Sequence, residues 1–162
     1  MSAESVLSSI VEVAIGIAGF AGIIAAVRQG RITRWSPEPR LLLEMLLTAS
    51  ALAIVFALLP GIVMEAGFSR DATWRTGSSL ILVSQLGLGV FRTRQFRLAG
   101  FDARPPIHMM VWYTPIVLLQ AANVALGTSW LYLLGVIGVV GNGFFFFLRL
   151  LFSDWDEPDA DA

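Results

Sequence analysis

The 162-residue chain contains no cysteine, no lysine and a single histidine. Without cysteine there are no disulfides, thiolate metal sites or thiol nucleophiles. One histidine, His108, leaves little for metal binding or general-base work and has no second histidine to share a haem. Charge is also scarce. Charged residues make up 14% of the chain, against about 25% in an ordinary soluble domain. The formal net charge of -1 offers no basic excess for a nucleic-acid partner. No Ser/His or paired-Asp constellation falls inside an apolar run, so the expectation is a non-enzyme with no cofactor and no metal.

What the chain has is apolar length. Hydrophobic residues make up 56% of it, and the mean hydropathy is +0.74. Crossing a hydrocarbon core of about 30 Å takes about 20 apolar residues. Five runs are candidates, over about 6–27, 41–67, 76–91, 107–126 and 130–152. The predicted fold is all-α, a polytopic integral membrane protein in one helical domain, followed by an acidic cytoplasmic tail over 153–162. The third run is short, ~24 Å at 1.5 Å per residue, and Arg75 and Arg92 at its ends can snorkel to the interfaces. Pro60-Gly61, near the far end of the second run, predicts a kink or helix end.

Arginine sets the orientation. Arg28, Arg31, Arg34 and Arg40 lie in the first connection, and Arg92, Arg94, Arg97 and Arg104 in the third. With five spans these share one face with Arg149, leaving only Arg70 and Arg75 opposite. The N-terminus is then outside and the C-terminus inside. Trp35, Trp74, Trp112, Trp130 and Trp155 all fall near predicted span ends, the headgroup level that tryptophan prefers. The first span lacks a basic n-region and is expected to be retained. The third connection mixes its arginines with Phe96, Leu98 and Phe101, a pattern suited to an amphipathic segment on the inner leaflet. Arg92, Arg94, Arg97 and Arg104 are its candidate contacts to anionic lipid.

Glu12 lies about six residues inside the first span, ~9 Å below the boundary. A carboxylate at the helix centre costs about 2.5–3.5 kcal/mol, and less near an interface. It must pair, protonate or face water. One reading makes it a cation-attracting or proton-exchanging group, forming an acidic ring in an oligomer. The other takes it to the outer interface, paired with Arg70 or Arg75. The amides Gln85, Gln120, Asn123 and Asn142 could join Glu12 in a polar seam, or could link helices by hydrogen bonds.

Small residues give the clearest pattern. Gly16, Gly19 and Gly22 lie in the first span, and Gly135, Gly138 and Gly141 in the fifth. Such residues let helix backbones approach closely in lipid, and the two spans could pack as neighbours within or between subunits. Phe144 to Phe147 cover every face of the last helix, so some of them should face lipid or a partner.

The stretch Glu12 to Gly22, EVAIGIAGFAG, resembles the first helix of uncharacterised small bacterial multi-span membrane proteins. The resemblance implies a bacterial inner-membrane location and no particular activity. The arginine-only basic composition suits a GC-rich bacterial genome. The expected protein associates with itself and lines a cation or proton pathway. The alternative is a non-catalytic accessory subunit of a larger membrane complex.

Overall fold

The computed structural model describes residues 2–27, 37–98 and 107–152, which form five helices. They are α1 (Ala3–Val27), α2 (Pro37–Glu65), α3 (Arg70–Leu98), α4 (Ile107–Leu126) and α5 (Ser129–Leu151). Arg28, Arg31, Arg34, Trp35, Arg104 and the acidic tail lie outside the described residues, as do the side chains of Arg92, Arg97, His108 and Trp112.

Among the described residues three helices are long and apolar enough to cross a membrane: α1, α2 over Pro39–Glu65, and α5. Within α4, the part whose side chains are described, Tyr113–Leu126, is itself an apolar helix. The third helix differs most from its sequence reading. A run over 76–91 was bounded there by arginines, but α3 has 29 residues, a length of ~43 Å. Arginine is a good helix former. It therefore marks where an apolar run ends, not where a helix ends.

Local chemistry sets the helix ends. Ser2 caps α1, its hydroxyl accepting the Ser5 N–H at 3.2 Å. α2 runs through Pro60 to Glu65 and closes at Gly67, whose φ of +88° is the left-handed conformation that glycine adopts without strain. The Gly67 N–H reaches the Met64 carbonyl at 2.9 Å and the Phe68 N–H the Val63 carbonyl at 3.3 Å, the paired bonds of a Schellman end. Ser69 then starts α3, with the Thr73 N–H on its carbonyl at 2.9 Å. Gly127, at φ +68°, makes the equivalent reversal between α4 and α5.

α5 is the hub. It packs against all four other helices, which follow one another around it in the order α1, α2, α3, α4. Among the described residues α1 touches neither α3 nor α4, so the arc is open between α4 and α1. The α5 face carrying Leu134, Ile137, Gly141, Phe144 and Leu148 is exposed. The core has two layers. One holds Leu7, Ile10, Ala14, Phe56, Trp74, Ile81, Tyr132 and Val136. The other holds Ala21, Leu42, Met45, Leu46, Phe146 and Leu150. The layers fix the alternation: the start of α1, the α2–α3 turn and the α4–α5 turn share one end. The phenylalanine block divides as its helical geometry requires, with Phe146 buried and Phe144 exposed. Phe147 meets Phe20 of α1 edge-on at 6.3 Å.

Candidate functional site

The polar residues of the spans separate into a buried set and an exposed one. Asn123 and Gln120, on α4, have no exposed surface. Asn123 donates to the Ser78 hydroxyl at 2.8 Å. Its carbonyl oxygen accepts the Thr128 N–H at 2.8 Å and the Thr128 hydroxyl at 3.0 Å. One side chain thus closes the α4–α5 turn and ties it to α3. Gln120 donates to the Leu131 carbonyl at 2.9 Å, while its own carbonyl oxygen has no partner among the described residues. The Ser50 hydroxyl, on α2, is the other buried polar atom without a partner among the described residues. Gln85 is buried on α3 and Asn142 half-buried on α5.

Both tyrosines perform a task that their sequence context conceals. Pro60 has no N–H, so the Phe56 carbonyl four residues earlier loses its helical donor. The Tyr132 hydroxyl of α5 donates to that carbonyl instead. The Tyr132 ring packs on Trp74 at 5.4 Å between centroids, and it fits only because α3 has Gly77 there. A Cβ at Gly77 would lie 2.5 Å from the ring. Trp74 is therefore a core residue at 7% exposure, whereas Trp130 is exposed near the start of α5. The Tyr113 hydroxyl of α4 donates to the Gln85 carbonyl of α3, passing over Gly89, where a Cβ would lie 2.9 Å from the hydroxyl. The i−4 relation of Phe56 to Pro60 was present in the sequence as a signal. Which tyrosine answers it was not.

The glycines divide in the same way. A Cβ at Gly135 would lie 2.1 Å from the Gln120 amide nitrogen, and one at Gly138 2.6 Å from Ile116. These two are the contact points of α5 with α4. Gly16, Gly19, Gly22 and Gly141 have nothing within 4 Å of such a Cβ. α1 and α5 do pack together, but the α1 glycines are not the contact.

α1 packs through Leu7, Ile10, Ala14, Ile17, Ala21 and Ile24, a seam with the three- and four-residue spacing of one helix face. At 3.6 residues per turn, Glu12 and Gly19 fall on the opposite side. Glu12 is accordingly exposed, nine residues into α1. Arg70 and Arg75 belong to α3, which α1 does not touch. Within one chain, then, Glu12 does not join the buried amides Gln85, Gln120 and Asn123. Those three belong to the interior of the bundle, and Glu12 to its outer face.

Among the described residues no three metal-ligating side chains come together. Arg94 is exposed near the end of α3. Comparison with protein-family models, curated proteins and solved structures finds no match for the chain.

Proposed function

We propose that the protein is a five-span membrane protein of the bacterial inner membrane that self-associates and lines a pathway for a cation or proton at Glu12. In this reading α3 and α4 cross with the other three helices, the N-terminus lies outside and the C-terminus inside. Arg92, Arg94, Arg97 and Arg104 meet anionic lipid on the inner leaflet. The position of Glu12 carries the reading. A carboxylate nine residues into an apolar helix, on the side facing away from its own bundle, needs water or another protein surface, because lipid supplies neither donors nor counter-charge. Copies arranged about an axis would turn such carboxylates into an acidic lining.

The test is cation and proton flux into liposomes containing the purified protein, compared with Glu12→Gln. Flux that falls about tenfold or more in the variant (~1.4 kcal/mol on the barrier) supports the reading. Flux that is unchanged, or absent from both proteins, removes it. The open face of α5 favours a second reading, a non-catalytic accessory subunit seated against a larger complex. A stable homo-oligomer of uniform mass after gentle detergent extraction, with no other chain, counts against that alternative.

A further inference from the structure

We infer that a bound water joins the Gln120 carbonyl oxygen of α4 to the Gln85 side-chain amide of α3, inside the seam where α3, α4 and α5 meet. The observation that points to an occupant is the oxygen itself. Gln120 has no exposed surface, and its Oε1 meets no hydrogen-bond donor among the described residues. The bond from Nε2 to the Leu131 carbonyl at 2.9 Å fixes which end of the amide is the oxygen. Native interiors supply such a buried acceptor with a protein donor or with an ordered water.

The register of α3 and α4 brings a second amide to the same level. Ser78 of α3 meets Asn123 of α4. The Gln85 carbonyl, further along the same face of α3, meets the Tyr113 hydroxyl. Gln85 therefore lies opposite the stretch of α4 between Tyr113 and Gln120. Side chains tilt toward the N-terminus of their own helix. The two helices are antiparallel, so the Gln85 and Gln120 side chains lean toward one another. Ile116, one turn before Gln120 on α4, lies against α5 instead, where a Cβ at Gly138 would stand 2.6 Å from it. Gln85 is itself only 6% exposed, and the Tyr113 hydroxyl engages its backbone carbonyl rather than its amide.

The chemistry of the seam selects water. The buried polar side chains among the described residues are all neutral, so an ion would enter without a counter-charge. The α5 backbone closes one side against anything larger. A Cβ at Gly135 would stand 2.1 Å from the Gln120 amide nitrogen and 3.0 Å from Oε1. A water donates one O–H to Gln120 Oε1 and makes its second bond to the Gln85 amide, which can donate or accept. The bridge adds a second tie between α3 and α4, deeper in the bundle than the Ser78–Asn123 bond.

The probe is water itself, read by nuclear magnetic resonance on the full chain in detergent with isotope-labelled glutamine side chains. Magnetisation from water should reach the Gln120 side-chain amide protons, although that side chain has no exposed surface. Gln85→Met keeps the length of the side chain and removes the second anchor, so it should weaken the transfer several-fold. No transfer in the unsubstituted protein, or transfer that Gln85→Met leaves unchanged, overturns the inference. Unfolding of the solubilised protein gives an independent check. Gln120→Met and Gln85→Met should each raise the unfolding equilibrium constant. Together they should fall short of the product of the single effects by about threefold or more. Effects that simply multiply overturn the inference. So does a gain in stability from Gln120→Met alone, since an oxygen that lacks every partner is better removed.

Discussion

Replacing Gly77 by alanine should destabilise the protein, although alanine is the better helix former. The added Cβ would stand 2.5 Å from Cε2, 3.0 Å from Cζ and 3.2 Å from Cδ2 of Tyr132. A rigid ring offers no flexible end to swing aside, and Tyr132 has no exposed surface into which to move. The ring must shift by ~1 Å to restore ordinary van der Waals separation, at an overpacking cost of about 1–3 kcal/mol. That shift pulls the hydroxyl from the Phe56 carbonyl, which Pro60 leaves without a helical donor. An orphaned buried acceptor costs a further 1–3 kcal/mol or so. The helix propensity gained on going from glycine to alanine returns about 1 kcal/mol. The balance is a loss of about 1–5 kcal/mol. Gly19→Ala, with nothing within 4 Å, should be neutral or gain up to about 1 kcal/mol. Equilibrium unfolding of the solubilised protein, followed by helical circular dichroism, measures both. Tyr132→Phe removes the same hydrogen bond, so Gly77→Ala and Tyr132→Phe together should cost less than the sum of the single effects. Gly77→Ala as stable as Gly19→Ala, or strict additivity in the cycle, would refute the reasoning.

Two further outcomes follow from the buried polar groups. Asn123→Leu removes the donor to Ser78 and the acceptor for Thr128. It should lower unfolding stability by about 2–4 kcal/mol, and hydrogen exchange should speed up first at the α4–α5 turn. Unchanged exchange at Thr128 would count against that role. Ser50→Ala deletes a buried hydroxyl without a partner among the described residues, so the same measurement should show no loss or a gain of up to about 1 kcal/mol. A clear loss would mean that the hydroxyl has a partner.

The helices were legible because their signals are local. Apolar runs gave five elements, and the end of α4 and the start of α5 fell within a residue of their positions. The arginines misled at α3, since they report the edge of an apolar run while the backbone hydrogen bonds continue beyond it. The glycines were legible as a set and illegible in their roles. Gly16, Gly19 and Gly22 read the same as Gly135 and Gly138 along the chain, and only the latter two meet a neighbour. The same holds for the polar residues. Glu12 and Gln120 both interrupt apolar runs, but one faces away from the bundle and the other lies wholly inside it.

The sequence alone determined that this chain is apolar and helical, with runs long and apolar enough to cross a membrane, because hydropathy and helix-end chemistry act over a few neighbouring residues. It also singled out Glu12, because a carboxylate in an apolar helix is costly wherever that helix packs. Only the tertiary structure decided that α5 is the hub, that Tyr132 supplies the donor missing at Pro60, and that Glu12 shares an unpacked face with Gly16 and Gly19. Those facts depend on how helices rotate about their axes against one another. That rotation is set by the fit of side chains distant in sequence, such as Tyr132 against Gly77 and Gln120 against Gly135, and no periodicity within a single helix encodes it.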